Sequence, residues 1–176
     1  MTTACRHALL TRIAVPLAAA ALLAAVAAST AGASSLAACG AGQLAGKVRQ
    51  SSGAAGTAAV SVRVRNVSPS GCTLRGFPRL RLRSDAGPLP TLVRHGGLAI
   101  LERPVETIVL GPGESATLLV AFGTLSTGAT VACPRATRLV IVLRDGRGRF
   151  SAPFDGAPCD RGTLRESPFL EGLVGV

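Results

Sequence analysis

Cys72-Thr73-Leu74-Arg75-Gly76-Phe77-Pro78-Arg79-Leu80-Arg81-Leu82-Arg83 decides the fold class. The segment follows the turn cluster Pro69-Ser70-Gly71. Pro78 has no N–H to give to a ladder, so ordinary central-strand pairing is barred there. From Arg79 to Arg83 arginine and leucine alternate strictly. Period-two alternation marks a strand with one wet face and one buried face. A cysteine, a backbone irregularity and a half-buried strand therefore sit within twelve residues.

Working outward, the same signal recurs. Val60, Val62 and Val64 alternate with Ser61, Arg63 and Arg65 across residues 57–66, and β-branched residues on one face favour a strand. Residues 41–50 carry a weaker strand pattern and 51–56 read as a loop. A short strand is expected at 89–94 and an irregular segment at 95–104. Residues 105–110 read as a strand, followed by the turn Gly111-Pro112-Gly113-Glu114. Ala116, Leu118, Val120 and Phe122 then share one strand face, and 123–133 read as a loop. Leu139-Val140-Ile141-Val142-Leu143 is continuously apolar and predicts a well-covered central strand. Asp145-Gly146-Arg147-Gly148 predicts a hairpin turn back into a strand carrying Phe150, Ala152 and Phe154. A last strand is expected near Leu164, with a tail after it. Seven to nine short strands, with turns every eight to twelve residues, predict an all-β antiparallel sandwich. A closed barrel or jelly roll is the alternative.

The N-terminus reads as a processing segment. Arg6 and Arg12 precede an apolar run over residues 13–28, and Ala31-Gly32-Ala33 is a small-residue cleavage site. Residues 1–33 are thus expected to be a signal peptide, too short in its apolar part for a membrane span. No membrane span is expected after cleavage. Residues 39–168 are expected to form a single domain, with 169–176 as a C-terminal tail. The remaining 143 residues carry a net charge of +8 and four cysteines: Cys39, Cys72, Cys133 and Cys159. An even count in an exported chain predicts two disulfides, which spacing alone allows in three pairings. A competing reading takes Leu36-Ala37-Ala38-Cys39 as a lipobox with lipidation of Cys39. The polar stretch before it and the odd cysteine it would leave argue against that reading.

The groups available for chemistry are few. His95 is the lone histidine of the mature chain, in a Gly-flanked stretch that reads as an exposed loop. Any histidine-assisted nucleophile would have to use it. Zinc wants several Cys or His ligands, and no such set is expected here. Glu102 with Glu106, and Asp155 with Asp160, are acid–base pairs in principle, and the second is a conceivable calcium site. Both pairs read more simply as surface carboxylates. Asn66-Val67-Ser68 matches a glycosylation acceptor, a match that arises readily by chance. No catalytic residue, cofactor or metal is expected.

The arginines form the one concentrated feature. Arg63 and Arg65 alternate outward on one strand, and Arg79, Arg81 and Arg83 on another. If both strands lie in one sheet, they make a positive face that attracts a polyanion such as a cell-wall polymer or acidic lipid. The plainer reading is solvated strand arginines, since the mature chain has 16 Arg and one Lys. Single-stranded nucleic acid is disfavoured, because its binding adds aromatic stacking and the chain has five Phe but no Tyr or Trp.

Together these residues resemble a secreted actinobacterial family, domain of unknown function 4232. The resemblance rests on Cys39, on Arg65-Asn66, and on Gly71-Cys72-Thr73-Leu74-Arg75-Gly76-Phe77-Pro78. It extends through Leu110-Gly111-Pro112-Gly113-Glu114-Ser115-Ala116 to Cys133 and Cys159, covering residues 39–166. It implies an immunoglobulin-like sandwich with Cys39–Cys72 and Cys133–Cys159 bridges, and it implies no activity. The resulting expectation is a non-enzymatic, monomeric binding module, secreted or held in the cell envelope. Its partner would be an extracellular protein or a cell-wall polyanion. A secreted enzyme inhibitor, using a loop within residues 123–132, or a hydrolase is the alternative.

Overall fold

The computed structural model describes residues 36–126, 133–144 and 146–176, which belong to one compact unit, Ser34–Val176. The expected signal peptide, most of the candidate inhibitory loop and the first residue of the Asp145 turn lie outside the described residues. The strands are β1 (Leu44–Ala54), β2 (Thr57–Asn66), β3 (Cys72–Arg75), β4 (Arg79–Ser84), β5 (Gly87–Pro88), β6 (Leu92–His95), β7 (Thr107–Leu110), β8 (Ser115–Gly123), β9 (Ala136–Val142), β10 (Arg149–Gly156), β11 (Thr163–Glu166) and β12 (Leu170–Glu171). Two single 3-10 turns, Ala41–Gln43 and Ala99–Leu101, interrupt them.

The fold is all-β. One sheet has the order β1-β2-β8-β11-β6, with β12 added to β8; a second has the order β10-β9-β4-β5; β3 and β7 form a separate pair. Pairings among these strands are antiparallel except β11 with β6, which run parallel. The two larger sheets share one core. Val62, Val64, Leu118, Val120 and Leu164 from the first meet Leu80, Leu82, Leu139, Ile141 and Phe154 from the second. Along one side β1 approaches β10 closely: a Cβ on Gly46 would stand 3.2 Å from both Ala152 Cβ and the Phe150 ring.

Both bridges have the pairing implied by the resemblance, Cys39–Cys72 and Cys133–Cys159. The first fastens the chain before β1 onto β3, where Cys39 N–H also donates to Thr73 O and Thr73 N–H to Ala37 O. The expected break at Pro78 is real. β3 pairs with β7 whereas β4 pairs with β9, so Gly76-Phe77-Pro78 is where the chain changes sheets.

Several expectations are corrected. Residues 51–54 continue β1, and the hairpin to β2 turns at Ala55-Gly56, both at positive φ. Such a two-residue turn matches the strand twist. The strand expected at 89–94 is realised only as β6, from Leu92 to His95, and the two-residue β5 precedes the expected span at Gly87–Pro88. The doubly covered strand is β8 rather than β9. Leu119 and Ala121 of β8 face outward, where Leu98, Leu101, Leu170 and Val174 cover them, whereas Val140 and Val142 of β9 remain half-exposed. Residues 169–176, set apart as a tail by their sequence, lie on this outer face: β12 pairs with β8 and Thr117 Oγ1 donates to Gly172 O.

Asn66, the glycosylation match, is fully buried at the end of β2. Its side-chain nitrogen donates towards Ser70 O (2.8 Å), Leu110 O (3.0 Å) and Gly111 O (3.2 Å), and its Oδ1 accepts from Ser68 N–H and Oγ. It ties the turns at 67–71 and 111–114 together and presents no free amide to a glycan.

Candidate functional site

The outer face of the β10-β9-β4-β5 sheet follows directly from parity. Leu80 and Leu82 are buried, so Arg79, Arg81 and Arg83 point away from the core. Leu139 and Ile141 are buried on β9, so Arg138 points outward; Ala152 and Phe154 on β10 put Arg149 outward in the same way. Register aligns them. Arg79 and Arg149 both pair with Val142, Arg81 pairs with Val140, and Arg83 pairs with Arg138. Five arginines thus share one face of one sheet.

A groove of about 730 Å³ opens there, lined among others by Arg81, Arg83, Arg138, Arg149, Val140 and Thr91. No acidic side chain lines it among the described residues. The nearby acids are engaged elsewhere: Asp85 Oδ1 accepts from Thr137 Oγ1, and Asp155 pairs with Arg135 at 2.7 Å. Thr91 is also committed, since its Oγ1 accepts from Leu82 N–H and donates to Leu89 O. That capture satisfies the outer edge of β4, where β5 is too short to supply the bond. The polar side chains left to meet a ligand are therefore the Ser151 hydroxyl and four guanidinium forks, and the forks suit carboxylate, phosphate or sulfate oxygens held two at a time.

Arg63 and Arg65 do not join this face. They lie on β2, in the other sheet, where Arg63 Nε donates to Ser115 Oγ (2.8 Å) and Arg65 Nε to Gly113 O (3.0 Å). Alternation orients a side chain relative to its own strand, but it does not say to which sheet the strand belongs. Arg138 and Arg149 replace them. Their signal was present in the sequence, since each sits one residue from an inward-facing apolar position.

A second cluster lies where β11 meets β6. Glu166 follows Leu164 by two residues and so points to the same buried side, with a side chain fully removed from solvent. Among the described residues neither of its carboxyl oxygens has a hydrogen-bond partner. His95, its parallel register partner, places Nε2 3.3 Å from Glu166 Oε1 without the direction of a hydrogen bond. The imidazole stacks on Phe77, with centroids 4.0 Å apart and planes 8° from parallel. Burial pushes the Glu166 pKa up to about 8, against the opposing pull of the Arg144 guanidinium. The histidine expected in an exposed loop is indeed exposed, but it ends strand β6 and has two partners. Glu166 was missed, although the alternation Leu164-Arg165-Glu166 already placed it inward.

The other expected carboxylates remain at the surface. Glu102, Glu106 and Asp155 are exposed, and Asp160 lies in a turn at positive φ. No cluster of three or more metal-ligating side chains occurs among the described residues.

The model of a family described as a domain of unknown function (DUF4232) matches residues 39–169. The chain belongs to that family. The match begins at the first bridge cysteine and ends at buried Phe169, so the DUF4232 domain contains both disulfides, the five-arginine face and Glu166. No curated protein and no solved structure matches the chain.

Proposed function

We propose that this DUF4232 domain is a non-enzymatic binding module, exported to the cell envelope or beyond. Its ligand would be a linear polyanion laid across the β10-β9-β4-β5 sheet. The observation that carries this reading is the set of five outward arginines, Arg79, Arg81, Arg83, Arg138 and Arg149, the last four of which line a groove with no acidic side chain among the described residues. Along β4 successive arginines are about 7 Å apart, from a rise of roughly 3.3 Å per residue, a spacing that suits repeated anionic groups on an extended chain. Two disulfides support an oxidising compartment. Cys39 Sγ is spent in its bridge to Cys72, which supports release after a signal peptide over lipidation at that sulfur.

The test is retention of the disulfide-bonded mature chain on an immobilised sulfated or phosphate-rich polymer along a salt gradient. Elution should require substantially less salt after Arg81→Ser with Arg138→Ser. The paired control Arg63→Ser with Arg65→Ser, on the other sheet, should elute nearer the wild type. Equal loss from both pairs would reduce the effect to net charge, and no loss from the first pair would sink the assignment of this face.

A further inference from the structure

The Glu166 site has a feature that a packing role does not account for. A buried polar group normally has a hydrogen-bond partner, and leaving it without one is costly. Here a carboxyl at the seam between β11 and β6 has none among the described residues. Strand β6 is four residues long, sits at the edge of its sheet and is held by the parallel ladder to β11. Just past it, Gly96 N–H donates to the backbone oxygen of Glu166 at 2.9 Å. The carboxyl, the strand end and the His95–Phe77 stack therefore meet at one point.

We propose that Glu166, His95 and Phe77 form a proton-operated latch that seats edge strand β6 on the sheet. With its proton in place the carboxyl is neutral and its burial is tolerated. Without it, a charge stands in an enclosed site, a state that burial of an ion makes unfavourable. Among the described residues the groups facing it are few. From β6 comes His95, off-line for a hydrogen bond; from the hairpin between β9 and β10 comes the field of Arg144, whose Nε is already donated to Phe77 O at 2.7 Å. From β8 the register partner is apolar Val120. Lifting β6 admits water to the carboxylate and relieves the charge. Raising the pH therefore unseats β6 and the segment that follows it, and lowering the pH seats them again.

Hydrogen exchange at the Gly96 amide and the β6 amides of the mature protein, corrected for intrinsic rates, reads this opening directly. Between pH 6 and 8.5 the open fraction in the wild type should climb, by up to about tenfold per pH unit as one proton is released on opening. In Glu166→Gln, which keeps the shape and cannot ionise, it should stay flat. Parallel profiles in the two proteins would overturn the latch. Should Glu166→Gln fail to fold, carboxyl carbon NMR of the wild type decides alone. A Glu166 titration midpoint above neutrality supports the latch, and one in the ordinary carboxylate range overturns it.

Discussion

Arg83 on β4 and Arg138 on β9 are direct register partners, so two guanidinium groups stand side by side on the wet face of one ladder. Like charges placed opposite each other destabilise a sheet by a few tenths to about 1 kcal/mol. An anion bridging the pair removes that cost. Stability and binding should therefore move in opposite directions when the pair is broken. Arg138→Glu should raise the unfolding free energy by about 0.5 kcal/mol in low-salt denaturant titrations and weaken polyanion retention. The gain should shrink at high salt, where exposed charges are screened.

Glu166 sets a pH dependence whose sign is determined by its environment. Its folded-state pKa is raised from 4.5 to about 8, so between those values the native state holds a proton that the unfolded chain has released. Its contribution is fully present below about pH 4.5 and is lost as the pH rises through 8. The slope is at most about 1.4 kcal/mol per pH unit for one proton. The difference in denaturant midpoint between the wild type and Glu166→Gln should trace that slope, with the wild type losing ground as pH increases.

Much of this architecture was readable from residue pattern. The alternations in β2 and β4 marked the strands and their buried faces, and Pro78 marked the change of sheet. The limits have physical causes. Apolar runs report burial without saying what provides it. β8 is covered on its second face by residues from both the 98–101 segment and the C-terminus, and that covering is long-range. The β9 run, equally apolar, keeps Val140 and Val142 beneath arginines from neighbouring strands, whose aliphatic stems tolerate such neighbours. The five-arginine face needed sheet membership, which parity cannot give. Glu166 needed only parity, which the short stretch Leu164-Arg165-Glu166 shows in a single alternation.

Asn66 should behave as a structural hub. Asn66→Ala would leave the carbonyls of Ser70, Leu110 and Gly111 short of a donor in or near the core. At roughly 1–3 kcal/mol for each unsatisfied buried group, a loss of at least about 2 kcal/mol is expected by chemical denaturation. Expression in a glycosylating host should leave the folded protein's mass unchanged at this site.

The Cys39–Cys72 bridge closes a separation of 33 residues and pins the first segment to β3. Replacing both cysteines by serine should cost about 3–4 kcal/mol on the chain-entropy estimate. The lowered melting temperature should be accompanied by exchange at the Cys39 and Thr73 amides, which bond across that seam.

Arginine side-chain NMR during titration with a long-chain polyphosphate tests the central claim most directly. The Nε–H signals of Arg81, Arg83, Arg138 and Arg149 should shift together and saturate, while those of Arg63 and Arg65, already donated to Ser115 and Gly113, should move little. Uniform small shifts across all arginines, or a response centred on Arg63 and Arg65, would contradict the assignment of the β10-β9-β4-β5 face as the binding surface.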